Sequence, residues 1–185
     1  MSNAPFPFPY KEMTLLIPFV QKKGESNWHN YALRMYLDNA QAVFLGNTFY
    51  GYARKLGNFV EDTNNLVVSA LAGDVVRINA VAVDDWLNHE DADESLPYYR
   101  SMLEILQMPV LGRHRDGHNI CSYFELNPDD ALVRKLAAHV EFLSPLVPAM
   151  ESWAELGRQA SAPDGAFEIR ALEWRIQYPP AACQF

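Results

Sequence analysis

The sequence has little positive charge, little cysteine and no long apolar run. Lys and Arg number 15 against 23 Asp and Glu, for a formal charge of -8 and a pI near 5.0. A general nucleic-acid binder usually needs a basic face, so this balance argues against one, while leaving room for a local basic pocket for a small anion. Cysteine occurs only at Cys121 and Cys183. No C-x-x-C pair or Cys/His spacing marks a metal site, and nothing points to a disulfide scaffold. No metal or other cofactor is therefore expected. The apolar runs are far too short to span a bilayer, which argues against a membrane partner. The first residues, M-S-N-A-P-F-P-F-P-Y, lack a basic stretch followed by an apolar one, so no signal peptide is read there. A cytoplasmic protein with reduced thiols is the expectation.

What is present is ordinary globular material. The 185 residues are 49% apolar and 21% charged, enough for a single domain, residues 1–185, with a substantial core. Residues 1–9 read as an extended arm, because proline fixes its own φ and restrains its neighbour. The chemistry, if there is any, is expected in residues 46–56, G-N-T-F-Y-G-Y-A-R-K-L. Its glycines allow turns and close approach. Tyr50 and Tyr52 offer apolar walls, and the adjacent Arg54 and Lys55 are costly there unless they face water, an anion or a substrate.

Taken in order, residues 13–20 and 28–37 read as two antiparallel strands joined by a turn at Gly24, with alternation from Tyr31 onward. Asp38-Asn39 ends the second. Residues 40–45 form either a short helix or an irregular turn. Residues 66–71 and 74–83 read as a hairpin turning at Gly73-Asp74. Residues 88–95, N-H-E-D-A-D-E-S, read as a solvated acidic loop; His89 and its acidic neighbours lack the spacing of an EF-hand loop. Residues 95–107 are the clearest helix, with Ser95 as its cap and Tyr99, Met102, Leu103 and Leu106 on one face. Residues 108–111 and 120–126 read as strands around a hairpin loop at Asp116-Gly117, and His114 and His118 in that loop read as surface residues. Residues 131–140 fit a helix by composition, with Leu132, Leu136 and Val140 four apart, or a strand running on through 143. A short helical segment is read at 151–157, a loop at 160–165, and a closing strand or hairpin at 166–178, ended by Pro179-Pro180. Many short strands with one clear helix give an α+β domain, mainly antiparallel β, and closure into a barrel would remove its exposed edges.

Several segments together resemble acetoacetate decarboxylase. Met35-Tyr36-Leu37-Asp38 resembles that family's M-Y-L-D strand end. Gly46-Asn47-Thr48 stands where the family has G-R-E, Gly51–Lys55 where it has G-F/Y-P-K-K, and Val60-Glu61-Asp62 where it has V-E-D. Residues 10–24 resemble a Y-x-E-x-x-x-x-I-P-V stretch, which places Glu12 on a family active-site glutamate. Asp116-Gly117 with Ile120-Cys121, and residues 173–180, resemble a later turn and the closing strand. The resemblance covers the chain from about Tyr10 onward. It implies an acetoacetate decarboxylase-like β-barrel with a few helices, a homo-oligomer, and chemistry on a keto acid.

In that family the first lysine of the pair forms an iminium with a β-keto acid, which lets the carboxylate leave as CO₂. Such a lysine must be neutral, so its site must lower a pKa that is ordinarily near about 10.4. Here that position is Arg54, whose guanidinium stays protonated. Lys55 takes the second position, and on a strand it points to the opposite face from Arg54. The family's R-E is Asn47-Thr48 here, and its N-terminal segment carrying a site arginine and glutamate precedes the matched region. The resemblance therefore implies a lyase-like protein with an altered site, acting on or binding a small keto acid or related organic anion. Lys55 and Glu12 are its candidate catalytic groups, and Arg54, Tyr52 and Tyr50 its candidate substrate contacts. Arg54 reads equally as an anion anchor or as an ion-paired arginine, and Glu12 as an acid/base or as an exposed strand-edge carboxylate. The alternative is a non-catalytic carboxylate-binding or structural oligomeric barrel.

Overall fold

The structure is a computed structural model that describes residues 9–21, 26–70, 73–113, 116–143, 159–177 and 179–183, with residues 159–164 and 182 described by backbone alone. In chain order the elements begin with β1 (Glu12–Val20), β2 (His29–Leu37), α1 (Ala40–Phe49) and β3 (Arg54–Leu56). Then come β4 (Asn58–Glu61), β5 (Asn65–Ala70), β6 (Gly73–Ala82), β7 (Leu87–Asn88) and α2 (His89–Ser95). They are followed by α3 (Tyr99–Gln107), β8 (Val110–Arg113), β9 (Asn119–Ser122), β10 (Phe124–Asn127) and β11 (Leu132–Phe142). The last are β12 (Gln159–Arg170), β13 (Glu173–Ile176) and β14 (Ala181–Ala182). This is a mainly antiparallel α+β protein.

The elements fall into two compact units. One draws on the chain through Leu56, Met102–Leu126 and the chain from Trp174; the other on Gly57–Ser101 and Asn127–Glu173.

In the first unit β2 is the organising strand. β1 lies antiparallel along one edge, from Glu12 opposite Leu37 to Val20 opposite His29. The other edge is shared by two parallel neighbours, β8 at Asn30–Tyr31 and β3 at Met35–Leu37. The sheet continues through β9 to β14. With both edges occupied, β2 departs from the simple alternation its sequence suggests: Met35, Tyr36 and Leu37 are all buried, while Tyr31 is exposed. Ala32, Met35, Leu37, Ala42, Tyr50, Tyr52, Val110 and Ile176 form the core of this unit. The second unit is the sheet β12-β11-β6-β5-β4, with β7 added to β11. Among the described residues neither of these sheets closes on itself.

The paired strands β1 and β2 and the hairpins β5–β6 and β8–β9 match the sequence expectations. The N-terminal arm through residue 8, the Gly24 turn, His114 and the helical segment at 151–157 lie outside the described residues. Elsewhere the structure corrects the sequence reading. Residues 40–49 form one helix, longer than the 40–45 segment considered. The acidic stretch is a helix, α2, because Asn88 caps it by accepting the Asp91 amide and Glu90 and Asp91 complement the positive end of the helix dipole. Ser95 therefore ends α2 instead of capping the next helix, and α3 starts at Tyr99, beyond Pro97. The strand read over 120–126 breaks at Tyr123 into β9 and β10, which join different sheets. Residues 132–142 are a strand, held between β6 and β12; a spacing of four suits helix and strand alike, since four is even. The loop expected at 160–165 belongs to β12. The ladder passes from Ala166 opposite Leu136 to Ala162 opposite Ala138, so Pro163, Asp164 and Gly165 are taken up in a bulge. The closing segment breaks at Ala171, whose φ is 57°.

Cys121 and Cys183 form a disulfide, with Cα atoms 4.9 Å apart across 62 residues of sequence. This corrects the expectation of reduced thiols. The pairing of β14 with β9, Ala181 opposite Cys121, brings the two together. No described helix is long and apolar enough to cross a membrane.

Closing a loop of this length removes chain entropy equivalent to about 4 kcal/mol from the unfolded state. Denaturant unfolding of Cys121→Ser is expected to show a loss of that order. A difference under about 1 kcal/mol would contradict that contribution from the cross-link.

Candidate functional site

The site is built where α1 ends and β3 begins. Asn39 starts α1 by accepting the Gln41 and Ala42 amides at 2.9 and 3.1 Å. Tyr50 closes it, donating its amide to the Gly46 carbonyl at 3.1 Å. Gly51 follows with φ 63°, the left-handed conformation that stops a helix at little cost to glycine. A side chain at Gly51 would also meet the Arg113 backbone, whose amide donates to the Gly51 carbonyl at 3.1 Å. The turn between α1 and β3 is thereby pinned to β8. Three residues later the chain enters β3 with Arg54 facing inward.

Arg54 is only 7% exposed. Its guanidinium cannot shed its charge, so the surroundings must compensate it. Nη1 donates to the Ala42 carbonyl at 3.2 Å. Nη2 lies 3.9 Å from Glu12 Oε2, close enough for attraction but beyond hydrogen-bond distance. The Tyr52 ring sits 5.3 Å from the guanidinium carbon, a cation–π contact. Nε is buried and has no hydrogen-bond partner among the described residues. Among the described residues the site therefore holds a buried cation with one spare donor and a single carboxylate, Glu12, at ion-pair range.

Around it, Tyr50 and Tyr52 stack with ring centres 6.0 Å apart. Burial pushes the Tyr52 phenol far above its ordinary pKa, outweighing the opposing effects of the Ser122 hydroxyl and the Arg54 charge. Tyr10 is also raised, mainly by burial and then by Glu12, with Arg54 opposing. Both phenols stay protonated at neutral pH and can act as donors. Glu12 also accepts the Thr14 hydroxyl at 2.6 Å.

Of the residues singled out in the sequence, Glu12, Tyr50, Tyr52 and Arg54 come together. Lys55 does not join them; the next residue along β3, it is exposed. Sequence reasoning gave no role to Tyr10, Ser122 or the helix positions Ala42 and Asn47, and gave Gly46 only the general one of a turn or close approach. Only Gly46 and Asn47 lay in the segment under suspicion.

Gly46 is required by the packing, because a Cβ there would overlap Nη1, Cδ and Cζ of Arg54. Alanine is favoured over glycine inside a helix by about 1 kcal/mol, whereas overpacking a buried site costs about 1–3 kcal/mol. Gly46→Ala is thus expected to be net destabilising in thermal or urea unfolding. A stabilised variant would show that Arg54 does not lie against α1.

No known protein-family profile matches the chain, and no curated protein matches it. Solved structures do. Acetoacetate decarboxylase from Legionella pneumophila superposes with a TM-score of 0.61 at 16% identity, over 94% of this chain and 66% of that one. A second acetoacetate decarboxylase structure gives 0.53 at 19%, over 93% of this chain and 66% of that one. The enduracididine biosynthesis enzyme MppR, complexed with pyruvate, gives 0.55 at 12%, over 90% and 63%. At these identities the likeness establishes the fold, which is acetoacetate decarboxylase-like. The chain spans just under two thirds of the length of these proteins.

Proposed function

We propose that this protein, on its acetoacetate decarboxylase-like fold, binds a small organic anion of the keto-acid class, with Arg54 as the carboxylate anchor. The observation that carries this reading is the buried guanidinium whose Nε has no partner among the described residues and which has, among them, one carboxylate, 3.9 Å from Nη2. A guanidinium offers Nε and Nη2 as a fork matched to a carboxylate, and such charge-assisted pairs are the strong hydrogen bonds of protein interiors. A ligand carboxylate would satisfy the spare donor and add the missing negative charge. Tyr50 and Tyr52 would wall the ligand, and Glu12 would orient its carbonyl end or exchange a proton with it. The bound pyruvate named for MppR supports the ligand class.

Decarboxylation through an iminium is not part of this reading. By the sequence resemblance Arg54 stands at the position of the attacking lysine, where a guanidinium would not form an iminium, and Lys55 beside it is exposed. The supported activity is binding, with any chemistry limited to proton transfer at Glu12.

Pyruvate is expected to raise the melting temperature of the wild type and of Lys55→Ala, and not that of Arg54→Ala. A hydrogen bond to a charged group contributes about 1.5–3 kcal/mol, so the Arg54 variant should bind roughly 10–100-fold more weakly. Borohydride added with pyruvate or acetoacetate is expected to leave the intact mass unchanged. A shift retained in Arg54→Ala would remove the anchor, and a reduced adduct on Lys55 would restore imine chemistry.

A further inference from the structure

We propose that Asn47 is a positioning residue for Arg54, holding the backbone from which the guanidinium is aimed. The inference rests on the anchor reading given above, and on a separate set of contacts. Among the described residues β3 pairs only with β2. The Arg54 N–H and C=O turn the other way, toward the last turn of α1. There the Asn47 side-chain amide meets both groups: Oδ1 accepts the Arg54 amide at 2.8 Å, and Nδ2 donates to the Arg54 carbonyl at 3.1 Å. One side chain thus supplies the acceptor and donor that a neighbouring strand would provide. The Arg54 amide has one other acceptor, the Tyr52 carbonyl at 2.9 Å, two residues back in a tight turn.

The residue choice at 47 fits this role. Asparagine is a weak helix former and gains little from an exposed place in a helix. An amide, however, is the side-chain group that matches a peptide N–H and C=O together. Seven residues separate Asn47 from Arg54, so the bracket closes a short loop containing the Gly51 turn. The neighbouring Gly46 leaves the space in which the Arg54 side chain lies. Consecutive residues of α1 therefore set both halves of Arg54: Asn47 fixes the backbone and Gly46 admits the side chain. Without the bracket the guanidinium fork would still carry its charge but would lose its fixed direction, and two-point recognition of a carboxylate depends on that direction.

The test uses the full chain and two readouts. Amide hydrogen exchange is measured on the wild type and Asn47→Ala. Protection at Arg54 is expected to fall at least about tenfold, with Leu56 on the same strand changing less than about twofold. Unchanged protection at Arg54 would overturn the bracket whether or not any anion binds. Pyruvate affinity is then measured for Asn47→Ala in the wild-type and Arg54→Lys backgrounds. A loss of about tenfold is expected beside arginine and under about twofold beside lysine, which has no fork to aim. Equal losses in both backgrounds would overturn the positioning role and leave Asn47 as a general stabiliser. Failure of the wild type to bind pyruvate would count against the anchor reading and leave the exchange result to decide the bracket.

Discussion

Arg54 cannot give up its proton, and it is almost wholly removed from water. Removing one partner from a buried ion pair costs about 3–5 kcal/mol, so every group near this guanidinium has to contribute to keeping it there. The end of α1 supplies a carbonyl, Tyr52 supplies a π-face, and β1 supplies Glu12 at a distance. Glycine at 46 leaves the room, and glycine at 51 turns the chain so that Arg54 enters β3 facing inward. The compensation is incomplete at Nε. Among the described residues that shortfall is what supports the proposal of an anion site over a structural ion pair, in which each donor would meet an acceptor.

The frame that supports this arrangement is β2. Its C-terminal half pairs with β3 and its N-terminal half with β8, so the residue that carries the cation and the strand that pins the α1–β3 turn sit on the same edge. β1, on the opposite edge, begins at Glu12, opposite Leu37. Glu12 and Arg54 therefore approach one another across the end of β2. The disulfide between Cys121 and Cys183 ties β9 to the chain beyond β14, one residue from the buried Ser122.

Much of this was legible in the sequence, and the gaps have physical causes. The β1–β2 pair and the two hairpins were readable because alternation and turn residues agree there. α2 was missed because acidic residues suit both a solvated loop and a helix N-terminus, and only the Asn88 cap separates them. The first half of β12, through Gly165, was read as a loop because Pro163 and Gly165 are turn residues absorbed by a bulge. Two cysteines 62 residues apart give no sign of pairing until β14 is placed on β9. In the site, the opposite facing of Arg54 and Lys55 followed from strand geometry, and Glu12 from a family resemblance. Asn47 was not recognisable, because its partner is a peptide group seven residues on, and side-chain-to-backbone contacts leave no pattern of residue types. Tyr10 and Ser122 reach the cluster through tertiary packing alone.

The account stands on the claim that the Arg54 guanidinium is a buried donor awaiting an anion. The most direct measurement is the ¹H–¹⁵N resonance of Arg54 Nε during titration with pyruvate, assigned by its loss in Arg54→Lys. A protected Nε–H that shifts saturably as pyruvate is added is the predicted result. An Nε–H that exchanges freely with water, or one indifferent to pyruvate, would contradict the account.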